Sequence, residues 1–261
     1  MTKSSTYPLD VEFFDEDFMG TMSWNVMGKR ILRAAALHAQ ERGFEQVMVQ
    51  GRVGLWVLSR MVIEINRMPH TLERGSITTW LSAAYRSFTD RCFVMTDADG
   101  NQFGQVSTVW ALIDSQSRES MNLQDVFCGE FDNFIDSARV VNLGRPLRVV
   151  PSGMETVDHR KVAYSDLDKN GHLNSIRYID YVLDTFSKKK HETSFPFRME
   201  LAYSYESMWG DTIDVMRKQL TPSLNTTTPC GDEAPWQFAL GNGSHVAFSC
   251  SLWFKDRKQT K

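Results

Sequence analysis

Apolar residues fall at helical spacing in two places along the chain. Met27, Ile31, Ala34, Ala35 and Ala39 share one face at three- and four-residue spacing, and Gly43 follows as a natural stop. Leu173, Ile176, Ile179, Leu183 and Phe186 repeat the pattern in the second half, ahead of Lys188-Lys189-Lys190, where a helix dipole favours cations. Strand-like runs are punctuated by tight turns. Asp97-Ala98-Asp99-Gly100 separates Cys92–Met95 from Gln105–Trp110, and Gly241-Asn242-Gly243-Ser244 separates Trp236–Leu240 from Ala247–Trp253, as in antiparallel hairpins.

The two halves echo each other. Arg60-Met61-Val62-Ile63-Glu64-Ile65 returns as Arg198-Met199-Glu200-Leu201-Ala202-Tyr203, a period of about 138 residues. Each run is preceded by one helix, followed by a glycine and a new strand (Gly75-Ser76-Ile77, Gly210-Asp211-Thr212-Ile213), and closed by a Trp-bearing strand. One long helix and an antiparallel meander, twice, predict an α+β fold built by duplication, the helix covering the apolar face of its sheet. Residues 114–155 carry neither period and include Gly144, Pro146, Pro151 and Gly153, which suits a connection. Pro222 to Pro235 reads as an exposed loop.

Composition narrows the class. With 42% hydrophobic and 23% charged residues in 261, the chain has the apolar mass for a sizeable core and is neither disordered nor a disulfide scaffold. A formal charge of -3 gives no basic excess for nucleic acid. Cys92, Cys128, Cys230 and Cys250 form no CxxC pair or metal-ligand spacing, so reduced thiols and no structural metal are expected. The N-terminus turns acidic where a signal peptide needs an apolar run, and no apolar stretch is long enough to span a membrane, so a cytoplasmic protein is expected. Two glycosylation sequons, at Asn225 and Asn242, then carry no meaning.

The densest polar constellation is Ser165-Asp166-Leu167-Asp168-Lys169-Asn170-Gly171-His172-Leu173-Asn174, just before the second helix. Asp166, Asp168, Asn170 and Gly171 match positions of a calcium loop, but Arg177 stands where that loop needs a bidentate Glu. A catalytic reading is open. Asp168, Asn170 and His172 alternate by two and would face one way in an extended approach, and backbone N–H groups from Gly171 to Asn174 at a helix start would suit an oxyanion. A plain N-cap role for Asp168 or Asn170 is equally compatible with the spacing.

The string Asp166 to Ile179 closely resembles the DLDxNxHxNNxxYI signature of the acyl-acyl-carrier-protein thioesterases of plants and bacteria. Leu201-Ala202-Tyr203-Ser204-Tyr205-Glu206-Ser207 resembles that family's LEYRREC segment, and His38–Phe44 and Trp56–Met61 look like its first-domain pattern. The resemblance covers nearly the whole chain. It implies a tandem (double) hotdog, with an N-terminal hotdog over residues 1–114, a linker over 115–155 and a C-terminal hotdog over 156–261. It also implies hydrolysis of fatty acyl thioesters of acyl carrier protein, without a cofactor. Carried over residue by residue, the catalytic positions are Asp168, Asn170, His172 and Glu206. Where the family often has a cysteine, this chain has Ser207, so activated water is the expected nucleophile, with Glu206 or Asp168 as its base.

The family places the acyl chain in the first domain, between helix and sheet. Met27, Ile31, Trp56, Met61 and Ile63 are candidate lining residues there, and each is equally suited to a core. Arg139, Arg145, Arg148, Arg160 and Lys161 are candidates for docking an acidic carrier protein, against the simpler role of a solvated connection. The expected state is monomer or homodimer, with no nucleic-acid or membrane partner. The starting point of the chain suits a bacterial enzyme better than a plastid precursor. Competing readings are an acyl-coenzyme A thioesterase, a hydratase of the same fold, or a non-catalytic acyl-binding hotdog protein.

Overall fold

The computed structural model describes residues 2–45, 47–49, 51–221, 234–243 and 245–257. Cys230, Asn225 and nearly all of the expected loop at Pro222–Pro235 lie outside them, as does Ser244 of the last turn. The chain divides into two compact units, Met1–Gly144 and Arg145–Lys261.

In the first unit, β1 (Ser4–Pro8) precedes the long helix α1 (Trp24–Glu41), which is followed by β2 (Val47–Val49), β3 (Arg52–Ile65), β4 (Gly75–Ala84), β5 (Phe88–Asp97) and β6 (Gln102–Asp114). Pairing is antiparallel in the order β1-β4-β5-β6-β3, with β2 against β3. Ser23 caps α1 by accepting from the Val26 N–H. Gly43, at φ 72°, ends it, its N–H reaching the Gln40 carbonyl at 3.1 Å. Met27, Ile31, Ala34, Ala35, His38 and Ala39 form the buried stripe of the helix. The Asp97–Gly100 hairpin is held by the Asp97 carboxylate, which accepts from the N–H groups of Asp99 and Asn101.

The first unit continues past the expected boundary at residue 114. Helix α2 (Leu123–Val126) and a 3-10 turn (Glu130–Phe134) bring Met121, Leu123 and Phe131 into a buried cluster with Phe44, Val47, Leu81 and Leu112. Each of these segments is a single turn, too short to write a period into the sequence.

In the second unit, β7 (Glu155–Lys161) precedes α3 (Arg177–Leu183) and α4 (Lys188–Thr193). Then come β8 (Ser194–Tyr203), β9 (Thr212–Gln219), β10 (Trp236–Gly241) and β11 (Val246–Asp256). The antiparallel order β7-β9-β10-β11-β8 repeats that of the first unit, strand for strand. The echoed runs at Arg60 and Arg198 lie in the equivalent strands β3 and β8. Tyr178 of α3 stacks on Phe248 of β11 at 4.9 Å, and Phe186 packs edge-on against Trp236, Phe238 and Phe254.

The second helix differs from expectation. Only Arg177–Leu183 is α-helical, and Leu173 and Ile176 precede it. Ser187 is extended (φ -68°, ψ 152°) and caps a separate helix through its hydroxyl, so Lys188–Lys190 form the first turn of α4 and not the last turn of α3. A serine that caps a new helix breaks a pattern that apolar spacing alone reads as continuous.

Candidate active site

The loop entering α3 is held at three levels. Asp166, buried at its base, accepts through Oδ2 from the Ala163 N–H and the Tyr181 hydroxyl, both at 2.9 Å, and through Oδ1 from Arg177 Nε and Nη2. Burial opposes ionisation of this carboxyl, but those donors outweigh it and hold it below the ordinary aspartate value. Burial also pushes up the Tyr181 hydroxyl, and its bond to Asp166 adds to the shift. Arg177, which argued against calcium, is thus the residue that ties the loop to its helix.

Above this base the chain turns sharply. Asp168 Oδ1 accepts from the N–H of Asn170 (2.8 Å) and of His172 (3.1 Å), while its own N–H donates to the His172 carbonyl at 2.8 Å. Gly171 sits at φ 79°, a conformation that costs a side chain dearly. The remaining backbone donors are committed: Gly171 to Asp168, Leu173 to Ser207, and Asn174 to Asp166. The N–H groups of Gly171 to Asn174, expected to form an oxyanion hole, are instead engaged within the loop and, at Leu173, with Ser207, and the helix starts only at Arg177.

That closure fixes His172. It forms an antiparallel bridge with Met208, beside the segment leaving β8, and its Nδ1 lies 3.4 Å from Glu206 Oε1. The imidazole is 20% exposed and the carboxylate 38%, so the pair is open to a ligand while held by its neighbours. Asn170 is exposed on the turn, and no hydrogen bond of its side chain is seen among the described residues. His172 and Glu206 are therefore brought into contact, Asp168 joins them through the backbone, and Asn170 stands at the rim.

Ser207 does not have the setting of a nucleophile. It is buried, and its hydroxyl is 2.7 Å from that of Tyr178, whose own ionisation burial pushes up to about 12. Asp166, Arg177, Tyr178 and Tyr181 escaped the sequence reading as site-building residues. The i, i+3 and i, i+4 spacing from Arg177 to Asp180 and Tyr181 was the available signal. Among the described residues, no three His, Cys, Asp or Glu side chains are grouped to hold a metal ion, and no helix is long and apolar enough to cross a membrane.

The lining candidates sit in the first unit. Met27 and Ile31 of α1 and Met61 and Ile63 of β3 are fully buried. Trp56 donates to the Phe44 carbonyl and is tilted against Phe131, packed on the cluster that the 115–144 segment joins. Of the docking candidates, Arg139 stacks over Trp80 and Arg160 pairs with Asp158 and Asp184; Arg145, Arg148 and Lys161 are exposed.

The acyl-ACP thioesterase N-terminal domain model matches residues 3–131, and the acyl-ACP thioesterase C-terminal domain model matches residues 151–236. An acyl-ACP thioesterase from Bacteroides thetaiotaomicron superposes with a TM-score of 0.82 at 31% identity, covering 97% of this chain and 98% of that one. The 12:0-ACP thioesterase from Umbellularia californica gives 0.80 at 14% identity, covering 98% and 95%, a likeness of fold. A chloroplastic acyl-[acyl-carrier-protein] hydrolase from Cuphea viscosissima is 26% identical over 205 residues, which is 76% of this chain and 48% of its own length. This chain spans about half the length of the curated relatives it matches. The architecture is the tandem hotdog, each domain an α+β sheet with its helix.

Proposed function

The chain belongs to the acyl-ACP thioesterase family, and from that premise we propose that it hydrolyses fatty acyl thioesters of acyl carrier protein to the free acid and the carrier thiol. The observation that carries this is the contact between His172 and Glu206, presented at the surface beside a loop whose backbone N–H groups from Asn170 to Asn174 are all engaged in holding it.

In this scheme Glu206 takes a proton from water, whose oxygen bonds to the thioester carbonyl carbon. The carbon–sulfur bond then breaks, and the proton passes to the departing thiolate. His172 holds the Glu206 carboxylate in place. With the loop amides committed, the Asn170 side chain is the donor we assign to the carbonyl oxygen. Asp168 shapes the turn through the amides of Asn170 and His172. Asp168, Asn170, His172 and Glu206 all lie in the second unit, and the acyl chain is assigned to the helix–sheet layer of the first, with Met27, Ile31, Met61 and Ile63 facing it. The exposed Arg145, Arg148 and Lys161 suit an acidic carrier protein. Free Cys92, Cys128 and Cys250 fit a reducing compartment such as the cytoplasm.

The test is release of free thiol from acyl-carrier-protein and acyl-coenzyme A esters of matched lengths. Faster turnover of the carrier-protein esters supports the proposal. Failure to release thiol from any acyl-carrier-protein ester overturns it, and preference for coenzyme A esters reassigns the carrier.

A further inference from the structure

Three arginines are buried among the described residues, and two are matched by carboxylates. Arg198 donates to Glu200 at 2.8 and 3.0 Å, and Arg42 reaches Glu41 at 3.2 Å as well as the carbonyls of Thr2 and His38. Arg91 is different. It stands on β5 on the same face as Phe93 and Met95, across from Leu81 and Thr108, and it is 4% exposed. Its guanidinium makes one hydrogen bond among the described residues, to Thr79 Oγ1 at 3.3 Å. The nearby hydroxyls are already engaged: Thr79 donates to the Cys92 carbonyl, and Thr108 donates to the Arg91 carbonyl while accepting from Trp110.

Among the described residues no carboxylate pairs with this cation; Glu41, paired with Arg42, bears on the neighbouring Tyr7 and His38. The charged and titratable groups that bear on it are Arg42, Tyr7 and Cys92, and it acts in turn on His38. Burial and Arg42 pull its ionisation down to about 9, which still leaves it charged at neutral pH. One more polar atom of this cluster, His38 Nδ1, is buried without a hydrogen-bond partner among the described residues, and the Tyr7 hydroxyl lies beside Ser5 and Glu41. A guanidinium presents five donors in a fixed fork and does not give up its proton easily. Burying one against a single hydroxyl disfavours the fold unless an outside group supplies the acceptors.

We infer that Arg91 is the donor of a subsite between α1 and its sheet, with Tyr7 and His38 at its edge, that binds an oxygen function, a hydroxyl, oxo or carboxylate group, carried on the acyl chain. This rests on the thioesterase function proposed above. The layer that holds Met27 and Ile31 from α1 and Met61 and Ile63 from β3 is apolar, and Arg91 projects from the same sheet face. A plain hydrocarbon entering that layer leaves the fork without acceptors, whereas an oxygenated chain satisfies it. The subsite therefore discriminates by the substituent on the chain as well as by its length.

The experiment compares saturated acyl-carrier-protein esters with counterparts of the same length that carry a hydroxyl at successive carbons or a terminal carboxylate. For the wild-type protein, kcat/KM for the best oxygenated ester should exceed that of the plain ester by about 10- to 100-fold, the value of a hydrogen bond to a charged group. The ratio should collapse in Arg91→Met and be partly retained in Arg91→Lys, which keeps the charge without the fork. Thermal shifts with the corresponding free acids give a second readout that needs no turnover and serves if Arg91→Met folds poorly. The oxygenated acid should stabilise wild type more than the plain acid, and Arg91→Lys should narrow the difference. An equal ratio in wild type and Arg91→Met overturns the inference. So does saturable stabilisation by chloride or nitrate with no difference between plain and oxygenated acids. If no ester is hydrolysed, the thioesterase proposal fails, and the free-acid shifts still decide Arg91.

Discussion

The exposed contact between His172 and Glu206 separates a catalytic role from a structural one by magnitude. At 3.4 Å, with both side chains partly exposed, the contact is worth no more than a surface polar pair, at most about 1 kcal/mol of stability. Glu206→Gln keeps the shape and removes the base, so the loss in Tm should be no more than about 2–4 °C in a chain of this size. General-base assistance is worth about 10²–10⁴ in rate, equivalent to about 3–5 kcal/mol of barrier. The two effects differ enough to be read apart by following thiol release and thermal unfolding on the same preparation. On the proposed scheme, in which His172 holds the carboxylate, His172→Ala and Glu206→Gln should not multiply: the double variant should fall no further than the worse single one. Near-wild-type turnover in folded Glu206→Gln refutes the assignment, and multiplicative losses in the double variant refute the coupling.

Substituting Cys92, Cys128, Cys230 and Cys250 one at a time by alanine should leave thiol release largely intact; a variant that unfolds like wild type yet loses turnover would point to a cysteine nucleophile. Glu200→Leu strands Arg198 in the core of the second unit and removes the acceptor of the Leu147 N–H (2.6 Å), so it should lose about 3–5 kcal/mol in denaturant unfolding, mostly regained on adding Arg198→Met. Equal stability of the single and double variants would show that the pair is not coupled. His38 is held neutral, its ionisation lowered from 6.5 to about 3 by burial and then by Arg91 and Arg42. The unfolded chain therefore binds the extra proton first, and the stability His38 contributes, present above pH 6.5, is lost as pH falls toward 3. Unfolding free energy across that window should slope less in His38→Gln than in wild type, and parallel slopes would contradict the buried neutral imidazole.

The duplication was legible because the echoed runs that open with Arg60-Met61 and Arg198-Met199 lie in the equivalent strands β3 and β8, each with its apolar positions packed in a core. The hairpin at Asp97–Gly100 was legible because Asp97 and Gly100 are the residues that such a turn demands. The packing of residues 115–144 was not, since Leu123 and Phe131 each serve one turn and meet partners far away in sequence. The candidate site shows the same division. The alternation of Asp168, Asn170 and His172 predicts a common direction, yet Asp168 turns inward to cap its own loop. Side-chain direction in a tight turn follows which backbone N–H groups need acceptors, and strand periodicity says nothing of that.

An oxyanion hole of backbone amides needs donors that the fold leaves uncommitted, and between Gly171 and Asn174 each donor closes a bond within the chain. The gain is rigidity: with Asp166 anchored by Arg177 and Tyr181 below and Asp168 capping above, His172 is placed against Glu206 by covalent geometry and short hydrogen bonds. On the proposed scheme the cost is that polarisation of a carbonyl falls to a side chain. Asn170 is the amide at the rim to which we assign that task, so Asn170→Asp, which keeps the size but replaces the donor with a carboxylate, should reduce kcat far more than it shifts Tm. Its loop bond is made by the backbone N–H to Asp168 and survives the substitution. Turnover in Asn170→Asp equal to wild type would return the search for the oxyanion donor to the backbone.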